Sequence, residues 1–166
     1  MRCWVFTGFT RAFCSVLQAS VSSTQTATKL TCFNPKETMN YVHIVALLAI
    51  LQFIYFGILV GQARGKYGIK APAMTGNEHF ERAVRVQMNT LEQLVCFVPA
   101  LLMAAVYWPQ AYVAALGVVY LLGRAIYQRA YTGDPARRGL GFGLTFLPTL
   151  VLILAGLLGA AMQAIA

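Results

Sequence analysis

Residues 41–63, YVHIVALLAILQFIYFGILVGQA, contain no Asp, Glu, Lys or Arg, and this stretch decides the fold. About 20 apolar residues suffice to carry a helix across a hydrocarbon core, where an unbroken backbone must satisfy its own hydrogen bonds. The run therefore reads as a first membrane-spanning helix. Further along, Glu92 is the only charge between Thr90 and Gly123, and Tyr107-Trp108-Pro109-Gln110 interrupts the apolar run with proline and interfacial aromatics. That break yields two antiparallel spans, about 89–107 and 111–131. No charge appears from Gly139 to Ala166, and the Leu- and Ala-rich run after Thr145 supplies a fourth span, about 145–165. Pro148 near its start is tolerated in a membrane helix and is a candidate kink. The expected fold is all-α: an integral membrane four-helix bundle occupying residues 39–166.

Composition agrees. Of 166 residues, 58% are hydrophobic and 11% charged, where an ordinary soluble domain has about a quarter charged residues. Disorder is excluded, because disordered chains are poor in apolar residues. Thirteen Lys and Arg against five Asp and Glu give a net charge of +8. Nucleic acid is not the partner this implies, since that would require a solvated basic face, whereas long uncharged stretches separate these charges. Four cations lie before residue 39. Five (Arg64, Lys66, Lys70, Arg82, Arg85) lie between the first two spans, and four (Arg124, Arg129, Arg137, Arg138) lie around the connection of the last two. By the positive-inside rule both basic loops face the cytosol and the termini lie opposite. The membrane is a bacterial inner membrane, or endoplasmic reticulum or an organelle in a eukaryote.

Residues 1–38 differ in kind: they are rich in Ser and Thr, and Glu37 is their single acid. They fit a transit peptide or an upstream over-extension of a reading frame that starts at Met39, and in either case are expected to be poorly ordered. Cys3, Cys14, Cys32 and Cys96 have no spacing that supports a disulfide framework or a zinc site, and His43 and His79 are too far apart for a helical metal pair. No metal is expected. The sequence also lacks a glycine-rich phosphate loop. Gly139, Gly141 and Gly143 point to close helix packing or a flexible turn.

The unusual residues are polar ones near the membrane. Arg85, Asn89 and Glu92 are spaced i, i+4, i+7 on a helix that continues into the second span, so they share a face. A carboxylate one turn inside a span costs several kcal/mol unless it is paired or faces a polar cavity, so Arg85 or another cation is expected to answer Glu92. A clasp that only locks helices together is the plainer alternative. Arg124, Tyr127 and Tyr131 are spaced i, i+3, i+7 on the third span. Interfacial anchoring explains Tyr131, but Arg124 and Tyr127 sit deeper, where a functional cavity is the default. After Gly133, Asp134-Pro135 has the form of a helix start, which places Arg137 and Arg138 in the first turn of the fourth helix. Cations there are unfavourable beside the positive end of the helix dipole unless an anion is close. An Arg-rich pocket with one carboxylate and two phenols suits a small zwitterion with excess negative charge. Glutathione, with two carboxylates, one ammonium and a thiol, has that character.

FERAVRVQMNTLE (80–92) and YLLGRAIYQRAYTGDPARRG (120–139) together resemble the MAPEG superfamily, the membrane-associated proteins of eicosanoid and glutathione metabolism. The resemblance covers about residues 40–166 and is nearest to the type-three microsomal glutathione transferase branch and its bacterial relatives. It implies a homotrimer that binds glutathione between neighbouring subunits near the cytosolic surface. It also implies glutathione-binding roles for Arg64, Arg85, Gln87, Asn89, Glu92, Arg124, Tyr127 and Tyr131, with Arg124 as a supporting residue. Arg138 matches the arginine credited with stabilising the thiolate. Gln93 stands where the leukotriene-synthesising branch has tyrosine, and Gly65 where it has a second arginine, which argues against leukotriene synthesis itself.

The implied activity is that of a membrane-bound glutathione transferase or peroxidase. A free thiol with a pKa near 8.5 is mostly protonated at neutral pH, so such an enzyme must stabilise the thiolate. The thiolate would then attack a lipophilic electrophile or reduce a lipid hydroperoxide arriving from the membrane lipid. Two rival functions are a non-catalytic lipid-binding scaffold of the same fold and a small transporter with Glu92 as a proton-coupled cation site. The arginines argue against the transporter, and the whole polar set exceeds what a scaffold needs.

Overall fold

A computed structural model describes residues 40–165, so the expectations for residues 1–38 lie outside the described part. Its four long helices are α1 (Asn40–Lys66), α2 (Glu78–Tyr107), α3 (Gln110–Gly133) and α4 (Arg138–Ile165), with a 3-10 turn at Pro135–Arg137. Among the described residues there is no strand. All four helices are long and apolar enough to cross a membrane, and the chain is an integral membrane protein.

Three boundaries extend beyond the apolar runs, each toward the basic end of the bundle. Arg64 lies within α1, whose last turn holds Arg64 and Lys66 beside the negative end of the helix dipole. The second helix starts at Glu78, where the Asn77 side chain accepts from the backbone N–H of His79 (3.0 Å) and Phe80 (3.4 Å). Such an N-cap typically contributes about 1 kcal/mol, and Glu78 and Glu81 in the first turn complement the dipole. Arg82, Arg85 and Asn89 thus stand on the same continuous helix as the span. The fourth helix opens at Arg138, so the Gly139–Gly143 stretch is helical and not a flexible turn.

Close packing is what those glycines supply at Gly141. A Cβ there would lie 2.5 Å from the backbone nitrogen of Tyr127, and one on Gly123 would lie 2.8 Å from the carbonyl carbon of Leu144. The α3 and α4 backbones therefore touch where only hydrogen atoms intervene. This is how membrane helices associate when lipid provides no hydrophobic drive between them. Deeper in the bundle, Val42, Val45 and Ala49 of α1 pack with Phe97, Leu101, Tyr120 and Leu152. The rings of Phe97 and Tyr120 stack in parallel at 3.7 Å. Ile44, Leu47, Leu51 and Ile54 on α1, like Leu147, Leu154 and Leu158 on α4, point outward. That pattern is the normal one for helices solvated by acyl chains. At the end opposite the basic loops, the Trp108 indole N–H donates to the Ala155 carbonyl at 2.8 Å and ties the α2–α3 turn to α4.

Candidate functional site

The polar residues fall into an inner set and an outer set. Arg124 leads the inner one and is fully buried. Its Nη2 donates to Thr90 Oγ1 at 2.6 Å, and Thr90 in turn donates to the Val86 carbonyl at 2.6 Å. The guanidinium carbon lies 4.5 Å from the Tyr127 ring centroid, a cation–π distance. Asn89 Nδ2 donates to the Tyr127 hydroxyl at 2.6 Å. Tyr127 is itself buried, packed with Phe56 and Val86. Arg124 thus holds the ring while Asn89 holds the oxygen. Nε and Nη1 of Arg124 find no acceptor among the described residues.

The outer set gathers at the basic end. Arg85 and Tyr131 line one groove of about 540 Å³, with Arg82, Glu78, Glu81 and Met74 among its walls. Arg138 extends over the Tyr131 ring, 5.8 Å from its centroid, and the Tyr127 and Tyr131 rings are 5.5 Å apart. Chain direction explains the meeting: Tyr131 lies in the last turn of α3, and the short 3-10 turn returns the chain so that α4 begins beside it. Asp134 shapes that turn, accepting from the Ala136 N–H at 3.0 Å and facing Arg137 Nε at 3.3 Å.

Arg64 and Gln87 lie elsewhere. Gln87 is two positions from Arg85, and so on the opposite side of α2, with its amide nitrogen against Gly57 of α1. Arg64 donates to the Ala73 carbonyl at 2.8 Å and covers the Phe80 ring at 4.8 Å. A single chain therefore does not bring the nine residues into one pocket.

The structure also corrects the expected pairing of Glu92. Among the described residues the ion pairs are Arg82–Glu78 and Arg137–Asp134, and Glu92 is in neither. Asn89 turns inward to Tyr127, while Arg85 and Glu92 remain exposed on the outer side of α2. Arg85 and Glu92 therefore point away from their own bundle, and Asn89 does not point with them.

Thr90 and Arg82 carry no mark in the sequence that singles them out. Threonine inside a span is common, and nothing in its local sequence announces a buried arginine 34 positions later. Arg82 reads from the sequence only as loop charge. Its position one turn before Arg85 on a helix starting after Asn77 is the signal that could have found it.

Fold and site together define a class: a four-helix integral membrane protein with basic and phenolic side chains gathered at one end. A model of the MAPEG family matches residues 42–158, and the chain belongs to that family. It is 43% identical over 120 residues to an uncharacterized protein of Synechocystis sp., covering 72% of this chain and 88% of that one. It is 39% identical over 117 residues to Homo sapiens microsomal glutathione S-transferase 2, covering 70% of this chain and 80% of the relative. With Bos taurus leukotriene C4 synthase it shares 31% identity over 103 residues, 62% of this chain and 69% of the relative.

Proposed function

We propose that the protein is a membrane-bound glutathione transferase that activates the thiol of glutathione for attack on lipophilic electrophiles or for reduction of lipid hydroperoxides. The observation that carries this reading is the placement of Arg138 over the ring of Tyr131, which with Arg85 lines one groove, in a chain 39% identical to a named glutathione S-transferase. Arg138 is the first residue of α4, where its charge adds to the positive end of the helix dipole. An anion is stabilised there twice. Each unit by which the thiol pKa falls requires about 1.4 kcal/mol of preferential stabilisation of the thiolate. A guanidinium at a helix N-terminus is of the right order to supply this.

The outward direction of Arg85 and Glu92 supports a site closed by a second copy of the chain. Arg64 and Gln87 do not line the groove that Arg85 and Tyr131 line, so a site that includes all of them would need a neighbouring copy to supply them. A homotrimer meets this requirement. Arg85, Asn89 and Glu92 would then address the carboxylates and the ammonium of glutathione, with Arg64 and Gln87 as further ligand contacts. In the positive-inside orientation the basic end faces the cytosol, where glutathione is dissolved, while the electrophile reaches the thiolate from the bilayer.

Stopped-flow ultraviolet detection of thiolate on mixing purified protein with glutathione tests this directly, together with turnover of a halogenated aromatic and a lipid hydroperoxide. The expected result is a thiolate signal and turnover of at least one of the two. Absence of thiolate and of glutathione binding would overturn the proposal and leave a scaffold on the same fold.

A further inference from the structure

Arg82 joins two elements that the site needs in register. Its Nη1 donates to the Gly133 carbonyl at 3.0 Å and to the Thr132 carbonyl at 3.5 Å. Its Nη2 pairs with Glu78, one turn earlier on α2. Gly133 is the last residue of α3, so these carbonyls belong to the turn that has no partner within its own helix, at the negative end of that helix's dipole. A guanidinium with a fork of donors is the group best suited to hold two successive carbonyls, and its side chain is only 20% exposed. Immediately after Gly133 the chain enters the Asp134 turn, and that turn delivers Arg138 to the Tyr131 ring. Arg82 also lines the groove that Arg85 and Tyr131 line.

From these contacts we infer that Arg82 is a positioning residue: it fastens the start of α2 to the end of α3, and thereby sets the distance between Arg85 on one helix and Tyr131 and Arg138 on the others. Glu78 serves the same purpose at one remove, by fixing the rotamer of Arg82. Arg85 in the groove then serves the ligand's charged ends and Arg138, beyond Tyr131, its sulfur, and Arg82 holds the two at a constant separation. This positioning role rests on the glutathione-activating role proposed for Arg138.

The separation has a measurable signature. When the clamp is cut, α2 keeps Arg85, Asn89 and Glu92, so ligand capture persists, whereas Arg138 no longer stands at a fixed distance from the bound thiol. The experiment compares wild type with Arg82→Leu, Arg82→Lys and Glu78→Gln, measuring glutathione binding and the pH profile of the bound-thiolate absorbance. In Arg82→Leu the midpoint is expected to move about one pH unit upward, an about tenfold fall in the thiolate-to-thiol ratio at fixed pH, while glutathione affinity changes less than about threefold. Arg82→Lys, which keeps one donor, is expected to recover part of the shift. Glu78→Gln, which leaves both carbonyl contacts available, gives a smaller displacement in the same direction. If wild type forms no thiolate, the role of Arg138 is what fails. If wild type forms thiolate and the midpoint of the variants is unchanged, or affinity and thiolate fall together, the positioning role of Arg82 is overturned. Should Arg82→Leu not fold, Arg82→Lys and Glu78→Gln carry the same test, since each preserves the size and most of the packing of the side chain it replaces.

Discussion

Arg124 and Arg138 stand on neighbouring helices at the same end of one bundle, and their surroundings are opposite. Arg124 is sealed inside, with a hydroxyl, a ring face and no carboxylate. Arg138 is exposed at a helix start, beside the Tyr131 ring. A buried guanidinium in fixed contacts cannot move to meet a ligand, so Arg124 is suited to holding Tyr127 still. An exposed guanidinium whose own helix disfavours it gains most when an anion arrives. On the proposed function the same residue type would serve as scaffold in one place and as reagent in the other, with exposure distinguishing them.

Four substitutions sharpen that contrast. The largest effect is expected at the seam that holds the two arginines apart: Gly141→Leu forces a side chain into the Tyr127 backbone and should cost about 3 kcal/mol or more, read as a fall in the thermal unfolding midpoint in detergent. Arg138→Ala should leave that midpoint nearly unchanged but lower the thiolate-dependent conjugation rate by about a hundredfold, with a smaller loss of glutathione affinity. Equal losses in rate and affinity would contradict its assignment as the reagent. Asn89→Leu deprives the buried Tyr127 hydroxyl of its 2.6 Å partner and should cost about 1–2 kcal/mol of stability, with a parallel loss of activity. Smallest is Gly143→Ala. No atom lies within 4 Å of its added Cβ, so the change should be neutral or stabilising by up to about 1 kcal/mol through helix propensity. A large loss at Gly143 would show that the glycine run acts through flexibility and not through the single close approach at Gly141.

The spans were legible because a charge-free run in lipid has few alternatives, and the breaks at Tyr107–Gln110 and Gly133–Asp134 carry their own turn chemistry. Spacing also identified which residues share a face. It did not reveal which way each face points. Arg124 and Tyr127 turn inward, whereas Arg85 and Glu92, on a helix of similar composition, turn outward. That choice depends on where Gly123 and Gly141 let two backbones meet, a long-range fact that periodicity along one helix does not contain. For the same reason the partnership of Thr90 with Arg124 was invisible, since it joins two helices across 34 positions. The Arg82 clamp was not visible either: Arg82 read only as loop charge, and the carbonyls it reaches lie 50 and 51 positions away.

The turn at Trp108 and Pro109 bears on how the molecule reaches its membrane. It is short, carries no charge and leaves its one indole N–H bonded within the bundle. Moving such a turn through a bilayer incurs none of the penalty of a charged loop, so α2 and α3 can enter as one hairpin from the side where their basic ends stay behind. Biogenesis and binding would then draw on the same asymmetry: the arginines that await an anion are also the anchor that keeps the hairpin from crossing completely.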